Sequence, residues 1–360
     1  MKIIFPNLFT GRIVRLVPLL LLALILSGAS CGFRVRTATP NGGVYRTSDG
    51  GKTWRQVVAA GLVKDKPVTI ANLDIKKLLI SPLDDRVVYA LAGRDGVYES
   101  QDSGENWHKF FSSLAVQDLV LHPQLRDTLY LAAANRILRT SNGGKDWQEV
   151  YLESTPDVSI TTLVIDTKNA QVLYAGTSNG GLLRSQDGGS SWQQVHFFKF
   201  KQKVAQIAVS PQDSKVIYAA LPSGSLWRTA DSGQNWTEVS LVFRDKLKIN
   251  IGSYRALTFL PAGKDGLLYA TQYGLFRSLD GGTSWEEVKL VTPPNSINIT
   301  GLVVSPGNGQ EISYVAPAAF YRSRDGGRSW ETMSLPANRH PAALVMSPRE
   351  AKVLYLGFSK

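Results

Sequence analysis

Seven times the chain writes nearly the same eight residues, Ser/Thr-x-Asp-x-Gly-x-x-Trp, and no other feature restricts its fold as tightly. The copies run from Thr47 to Trp54, Ser100 to Trp107, Thr140 to Trp147, Ser185 to Trp192, Thr229 to Trp236, Ser278 to Trp285 and Ser323 to Trp330. Their third position holds Asp49, Asp102, Asp187, Asp231, Asp280 and Asp325, with Asn142 in the one departing copy. Successive tryptophans lie 40 to 53 residues apart, the length of one four-stranded propeller blade. Seven copies therefore predict an all-β fold, a seven-bladed β-propeller of four-stranded antiparallel blades.

Within a repeat, four short apolar runs are separated by Gly, Asn and Asp, as at residues 160–165, 172–176, 182–185 and 192–195, which is the pattern of strands joined by turns. The first run usually ends at a Ser-Pro or His-Pro pair, such as Pro82, Pro123 and Pro211, because proline brings no donor to a ladder. The second run carries a recurring tyrosine: Tyr89, Tyr130, Tyr174, Tyr218, Tyr269 and Tyr355. The first box has only one strand before it, and residues 342–358 supply an inner strand pair with no box after it. These halves predict one composite blade, with inner strands from the C-terminus and outer strands from residues 43–58, that closes the ring and removes its open edges.

Ahead of the repeats, Lys2, Arg12 and Arg15 precede an apolar run at 16–26, and Ser27, Gly28, Ala29 and Ser30 lead into Cys31. This reads as an export signal over residues 1–30, its apolar run too short to span a bilayer. Cys31 is the only cysteine, so no intrachain disulfide forms. Its setting resembles a lipobox, with Gly28 in place of the usual Leu, Val or Ile. The resemblance implies a lipidated Cys31, a tether over 31–42, a propeller over 43–360 and a bacterial envelope location, periplasmic or outer-surface. An ordinary cleaved signal and an uncleaved anchor reaching Phe33 are the alternatives. The formal charge of +11 falls to +8 once Lys2, Arg12 and Arg15 leave with the signal. In an exported protein such an excess suits anionic lipid, polysaccharide or an acidic protein face, and nucleic acid is not expected.

Each box falls between a third and a fourth strand, where Asp accepts backbone N–H groups, Gly takes positive φ and Trp54, Trp107, Trp147, Trp192, Trp236, Trp285 and Trp330 pack toward the adjacent blade. One carboxylate per turn is too few for a calcium shell, so the boxes read as structural, with no metal and no cofactor expected. Asn142 fits this reading, since its amide oxygen can still accept. With these copies, Thr-Ser-Asp-Gly-Gly-Lys-Thr-Trp at 47–54 among them, the chain resembles over residues 43–360 the Asp-box, or BNR-repeat, propellers of sialidases, xyloglucan hydrolases, sortilin-type receptors and photosystem II assembly-factor-like lipoproteins. The resemblance implies fold more than activity, because the same box serves enzymes, receptors and assembly factors.

Loops joining the fourth strand of one blade to the first of the next are expected on the face opposite the boxes: residues 61–71, 151–158, 196–203, 240–253, 289–297 and 334–340. They hold ten basic residues against Asp65, Glu153, Asp157 and Asp245, a net +6. Two segments, HFFKFKQK at 196–203 and FRDKLK at 243–248, place Lys199, Lys201, Lys203, Arg244, Lys246 and Lys248 among aromatic and apolar residues. Their period-two alternation predicts extended loop edges with cations on one side. These six, with Lys77 and Asp118 at the mouth of the central channel, are the candidate binding residues; a solvated face with phenylalanines tucked beneath it is the bland alternative. No catalytic residue is assigned. The Arg-Ile-Pro element implied by a sialidase resemblance is absent, and the inner strands offer Asp118 as a lone carboxylate where glycosidases use two. An ion pair with Lys77 accounts for it, although Glu153 or Asp157 could supply a second group. Asn235 and Asn298 head glycosylation sequons that a bacterial lipoprotein would leave unused. The expectation is a monomeric, non-catalytic propeller that binds a protein partner or an anionic envelope component; a glycoside hydrolase is the alternative.

Overall fold

Strands such as Leu129–Ala133 are buried at every position, because each blade is covered on both sides by its neighbours and its inner strands need not alternate. The computed structural model describes residues 41–360 except 64, 65, 199, 200, 262 and 308. It shows seven four-stranded antiparallel sheets arranged around an axis. Blades 1 to 6 follow chain order at 77–111, 116–152, 160–197, 206–238, 254–288 and 301–333. Blade 3 is representative, with strands Ile160–Ile165, Leu173–Thr177, Gly181–Ser185 and Gln193–Phe197.

Blade 7 is the composite one. Its inner strands, His340–Met346 and Leu354–Ser359, come from the C-terminus, and its outer strands, Val44–Thr47 and Arg55–Gln56, from the start of the described chain. Val44 pairs with Gly357 and Thr47 with Leu354, so a single register joins the two ends. Antiparallel order then puts the first-to-second turns and the boxes on one face of the ring, and the blade-to-blade loops on the other. The loop after blade 7 is a two-stranded ribbon, Ala59–Val63 with Lys66–Thr69.

In blades 2, 4 and 7 the recurrent tyrosine of the second strand links one blade to the next. Its phenol donates to the carbonyl just after the next blade's box aspartate: Tyr130 to Gly188 at 2.7 Å, Tyr218 to Gly281 at 3.1 Å and Tyr355 to the equivalent Ser103 at 3.1 Å. Blades 5 and 6 lack the phenol there, since Leu268 and Ser313 occupy the register position. Arginine performs the task instead, Arg277 reaching Gly326 at 2.9 Å and Arg322 reaching Gly50 at 3.4 Å. Tyr269 is thus one position out of the expected series. It faces Phe276 across the ladder and donates to Gly224 on the loop face of blade 4, at 2.8 Å.

Among the described residues no helix is long and apolar enough to cross a membrane. The apolar run at 16–26, Cys31 and the tether lie outside them.

Candidate functional site

Two groups of residues were legible as candidates, the boxes and the loop face, and the structure gives them different characters. In each box the Ser or Thr hydroxyl donates to the Asp Oδ1 and accepts the N–H of the glycine four residues on; at 185–189 these distances are 2.8 and 2.9 Å. The same Oδ1 accepts the N–H four residues after the Asp, Ser191 to Asp187 at 2.9 Å, while Oδ2 takes that residue's side chain. Hydrogen bonds of this kind hold the carboxyls of Asp187 and Asp231 down at about 2, through Ser191 in one case and the Asn235 N–H in the other. In Asp49 burial pushes upward, and bonds from Thr53 and Thr47 more than reverse it, again to about 2. Each carboxylate is therefore occupied within its own turn, which is the structural role.

Asn142 keeps that turn with the polarity of one bond exchanged. Its Oδ1 accepts from Thr140 and from the Asp146 N–H, each at 3.0 Å, and its Nδ2 donates to Asp146 Oδ2 at 2.8 Å. In the first blade Asp102 occupies the near end and Asn106 the far end, also at 2.8 Å. Box tryptophans reach the preceding blade, as with Trp147 against Phe111 at 5.3 Å and Trp54 against Phe320 at 5.5 Å. Trp107 also donates to the Val57 carbonyl of blade 7 at 2.9 Å.

At the channel mouth Lys77 pairs with Asp118, whose side chain is only 6% exposed. Asp118 also accepts the Leu119 N–H at 2.7 Å and, across the next joint, the Leu163 N–H at 2.9 Å. One carboxylate thereby ties blades 1, 2 and 3 together. Gln206 does similar work further round, donating to the Leu257 carbonyl at 3.0 Å and receiving the Tyr254 hydroxyl. Lys77 and Asp118 form a structural clamp, the ion pair that the sequence led us to expect.

The loop face departs from the extended edges predicted for it. Residues Phe243–Leu247 form a π-helical turn closed by Lys248 at φ +59°. Phe243 is the reason: its ring is buried against Phe276 and Trp285, anchoring the turn while Arg244, Lys246, Leu247 and Lys248 stay exposed. The other basic segment has an anchor of the same kind just after His196 and Phe197, which end the outer strand of blade 3. Phe198 is buried against Trp227 and Trp236, and the Lys201 N–H returns to the Phe198 carbonyl at 3.3 Å, with Lys201 at φ +50°. The alternation thus reported one aromatic anchor per loop rather than an extended strand. Lys199 lies outside the described residues.

The two basic segments both border Ser223 of blade 4. Gln202, between Lys201 and Lys203, accepts the Ser223 N–H at 3.2 Å. Ser223 in turn helps line an open cavity of about 490 Å³ with Glu238, Leu241, Phe243, Arg244 and Lys248. Arg244 is paired with Asp245 at 2.7 Å, and Lys248 donates to the Asp245 carbonyl at 2.9 Å. Among the described residues Lys201, Lys203 and Lys246 have no acidic partner. The cavity itself was not foreseen, because the turn that walls it was read as extended.

Repeated around a closed ring, these turns define the chain as a seven-bladed Asp-box β-propeller. The Sortilin-Vps10 family (sortilin, neurotensin receptor 3) matches residues 180–274, from blade 3 into blade 5. Among solved structures, the GH74 xyloglucanase from Xanthomonas campestris aligns with a TM-score of 0.65 and 18% identity, over 85% of this chain and 52% of that one. YCF48 from Cyanidioschyzon merolae aligns with a TM-score of 0.58 and 15% identity, over 79% of this chain and 95% of that one. YCF48 bound to D1 peptide gives a TM-score of 0.59 and 16% identity, over 80% and 94%. The chain thus spans about half the length of the xyloglucanase and aligns with nearly all of YCF48. At such identities the likeness is one of fold. No curated protein matches the sequence.

Proposed function

We infer that this is a non-catalytic propeller, exported and tethered to a bacterial envelope membrane through Cys31, that binds a segment of a protein partner during assembly or stabilisation of a membrane complex. The observation that carries the reading is the cavity of about 490 Å³ on the loop face, where Leu241 and Phe243 stand beside Arg244 and Lys248 with Lys201 and Lys203 adjacent. An extended segment with an apolar side chain flanked by carboxylates suits that lining in shape and charge. YCF48, a propeller of similar extent, has been solved with a D1 peptide bound, so peptide capture is within the reach of the fold.

The hydrolase reading has one observation in its favour, an open cavity of about 390 Å³ lined by Glu153 and Asp157. Its chemistry is poor. A glycosidase needs one carboxyl that keeps its proton near neutral pH, whereas Glu153 is held below the usual range: burial raises it, and bonds from Thr155 and Tyr151 more than compensate. Asp118, the channel carboxylate, is buried and committed to the clamp.

The test has two arms. Purified protein incubated with sialosides, xyloglucan and β-glucans should show no turnover; turnover abolished by Glu153→Gln would establish the hydrolase. Crosslinking in the native envelope should capture a protein with the parent chain and lose it when Lys201, Lys203, Arg244, Lys246 and Lys248 become Ser. Undiminished capture by that variant would move the binding site elsewhere.

A further inference from the structure

The described chain enters the ring on the loop face. Gly42 lies against the Ala71 carbonyl and the Arg339 side chain, and Gly43 against Ile70, all belonging to the loops on either side of blade 7. The segment 31–42 is twelve residues long, and however it is arranged it reaches no further than about 40 Å. A blade with a six-residue inner strand stands roughly 20 Å high before its turns are counted. Carrying the box face to the bilayer would spend about half of that reach on the height alone. The loop face arrives there with length to spare.

That face also carries the chemistry of an interface. Of the nine large apolar side chains exposed among the described residues, six belong to it: Val68, Leu152, Phe197, Leu241, Leu247 and Val291. The other three, Leu83, Leu125 and Leu279, are scattered over the box face. Leu241 and Leu247 are interleaved with Arg244, Lys246 and Lys248 on one short turn. Apolar groups that enter the interfacial layer while cations sit at its phosphates are what holds a peripheral surface to anionic lipid. Each basic residue near such a surface contributes about fivefold in affinity.

We propose that the loop face is the membrane-facing side of the propeller and lies on the anionic headgroup layer of the bilayer that holds its anchor. Lys201, Lys203 and Lys246, which lie outside the cavity lining, meet headgroup phosphates, and Leu247 and Val291 enter the interface. The proposal rests on the anchored, partner-binding reading above and narrows it, since a partner reaching the cavity must then present its segment at the membrane surface.

The test places a fluorophore at Val291→Cys on the loop face or Leu279→Cys on the box face, which are similarly exposed at 57% and 50%. The full chain is reconstituted in vesicles of phosphatidylglycerol with phosphatidylcholine or of phosphatidylcholine alone, each carrying a headgroup quencher. Quenching at position 291 is expected to exceed that at 279 severalfold in the anionic vesicles. It should fall with added salt and with Lys201, Lys203 and Lys246 changed to Ser. Equal quenching at both positions, stronger quenching at 279, or indifference to lipid charge and to the substitutions would overturn the proposal. A variant that fails on vesicles yet keeps its circular dichroism spectrum and melting temperature counts for the proposal, because the fold is then not at fault. The parent chain without an added cysteine separates the two readings: dye entering at Cys31 shows a free thiol and removes the lipid anchor, whereas an unlabelled parent with unquenched position 291 removes the membrane-facing assignment alone. Protein capture that depends on Lys201, Lys203 and Lys246 alone, with no vesicle preference, would make these three a protein site and overturn the lipid one.

Discussion

Between blades 2 and 3 the phenol of Tyr130 crosses the joint to the box carbonyl of Gly188; between blades 1 and 2 its counterpart Tyr89 turns back and donates to Glu99 of its own blade at 2.7 Å. The difference begins with one residue. Six blades place arginine directly before the box Ser or Thr, namely Arg46, Arg139, Arg184, Arg228, Arg277 and Arg322, and blade 1 places Glu99 there. At the joints after blades 2 and 4, where burial raises the phenol, that arginine and the next box aspartate also act on it with opposite sign, as Arg139 and Asp187 do on Tyr130. Blade 1 reverses the charge, and the box it faces is the one with Asn142 in place of Asp. Glu99, Asn142, Arg126 and Lys145 line a shared cavity of about 220 Å³. Two departures from the repeat that look unrelated in sequence thus line one cavity, where an aspartate at 142 would add a charge like that of Glu99.

Breaking the ring should expose how much each joint relies on closure. Removal of residues 353–360 takes away the strand that pairs with Val44–Thr47 and with His340–Met346, leaving two open edges. We expect loss of cooperative unfolding or a fall in melting temperature well beyond that of any single joint substitution. An unchanged melting curve would contradict the composite blade.

Acid should act next, through the boxes together. The carboxyls of Asp49, Asp187 and Asp231 sit at about 2 in the folded chain against an unfolded value near 3.8, and Asp102, Asp280 and Asp325 are displaced in the same direction. Depressed carboxyls contribute stability that is complete above the unfolded value and lost as pH falls through the folded one. Stability measured by urea unfolding should hold down to about pH 4 and then drop toward pH 2. Replacing Asp187 by Asn should make that drop shallower, since the blade 2 box already shows that an amide keeps the turn.

Much of this architecture was readable. The eight-residue box reports its own turn because the bonds its hydroxyl and its aspartate make are local, between residues two to four apart, and the halved repeat at each end announced blade 7. The joints were not readable, although their signals were present. The tyrosine series and the arginine before each box both recur, but which carbonyl they reach depends on the rotation of one blade against the next. Tyr269 shows the cost: in sequence it matches the series, and in register it is displaced by one residue and serves the opposite face. At the candidate site, alternation in 243–248 reads as an extended loop edge because a buried anchor followed by exposed cations leaves the same trace. The cavity beside Arg244 follows from the packing of Phe243 on Trp285, which no local pattern encodes.

A subtler separation concerns the joints themselves. Tyr130→Phe deletes a buried bond across a joint and should cost about 1 kcal/mol, leaving the Gly188 carbonyl without its donor. Tyr174 makes no hydrogen bond through its hydroxyl among the described residues, so Tyr174→Phe should be neutral or slightly stabilising. Urea midpoints for the pair at constant m would rank them, and equal losses would show that the phenols act through packing alone.

The finest distinction is the exchanged pair itself. Asn142→Asp restores the consensus box but sets a carboxylate toward Asp146, whose Oδ2 now accepts from Asn142 Nδ2, and toward Glu99 across the cavity. The group is exposed, so the loss should be only about 0.5 kcal/mol and should shrink with salt. Glu99→Arg alone should also destabilise, because Tyr89, Gln101 and His108 lose their shared acceptor. If the two departures compensate one another, the double variant recovers part of the summed loss, and a double-mutant cycle reads that coupling directly. Strict additivity would mean that Glu99 and Asn142 are independent accidents of the repeat, and the electrostatic account of the joint between blades 1 and 2 would fall.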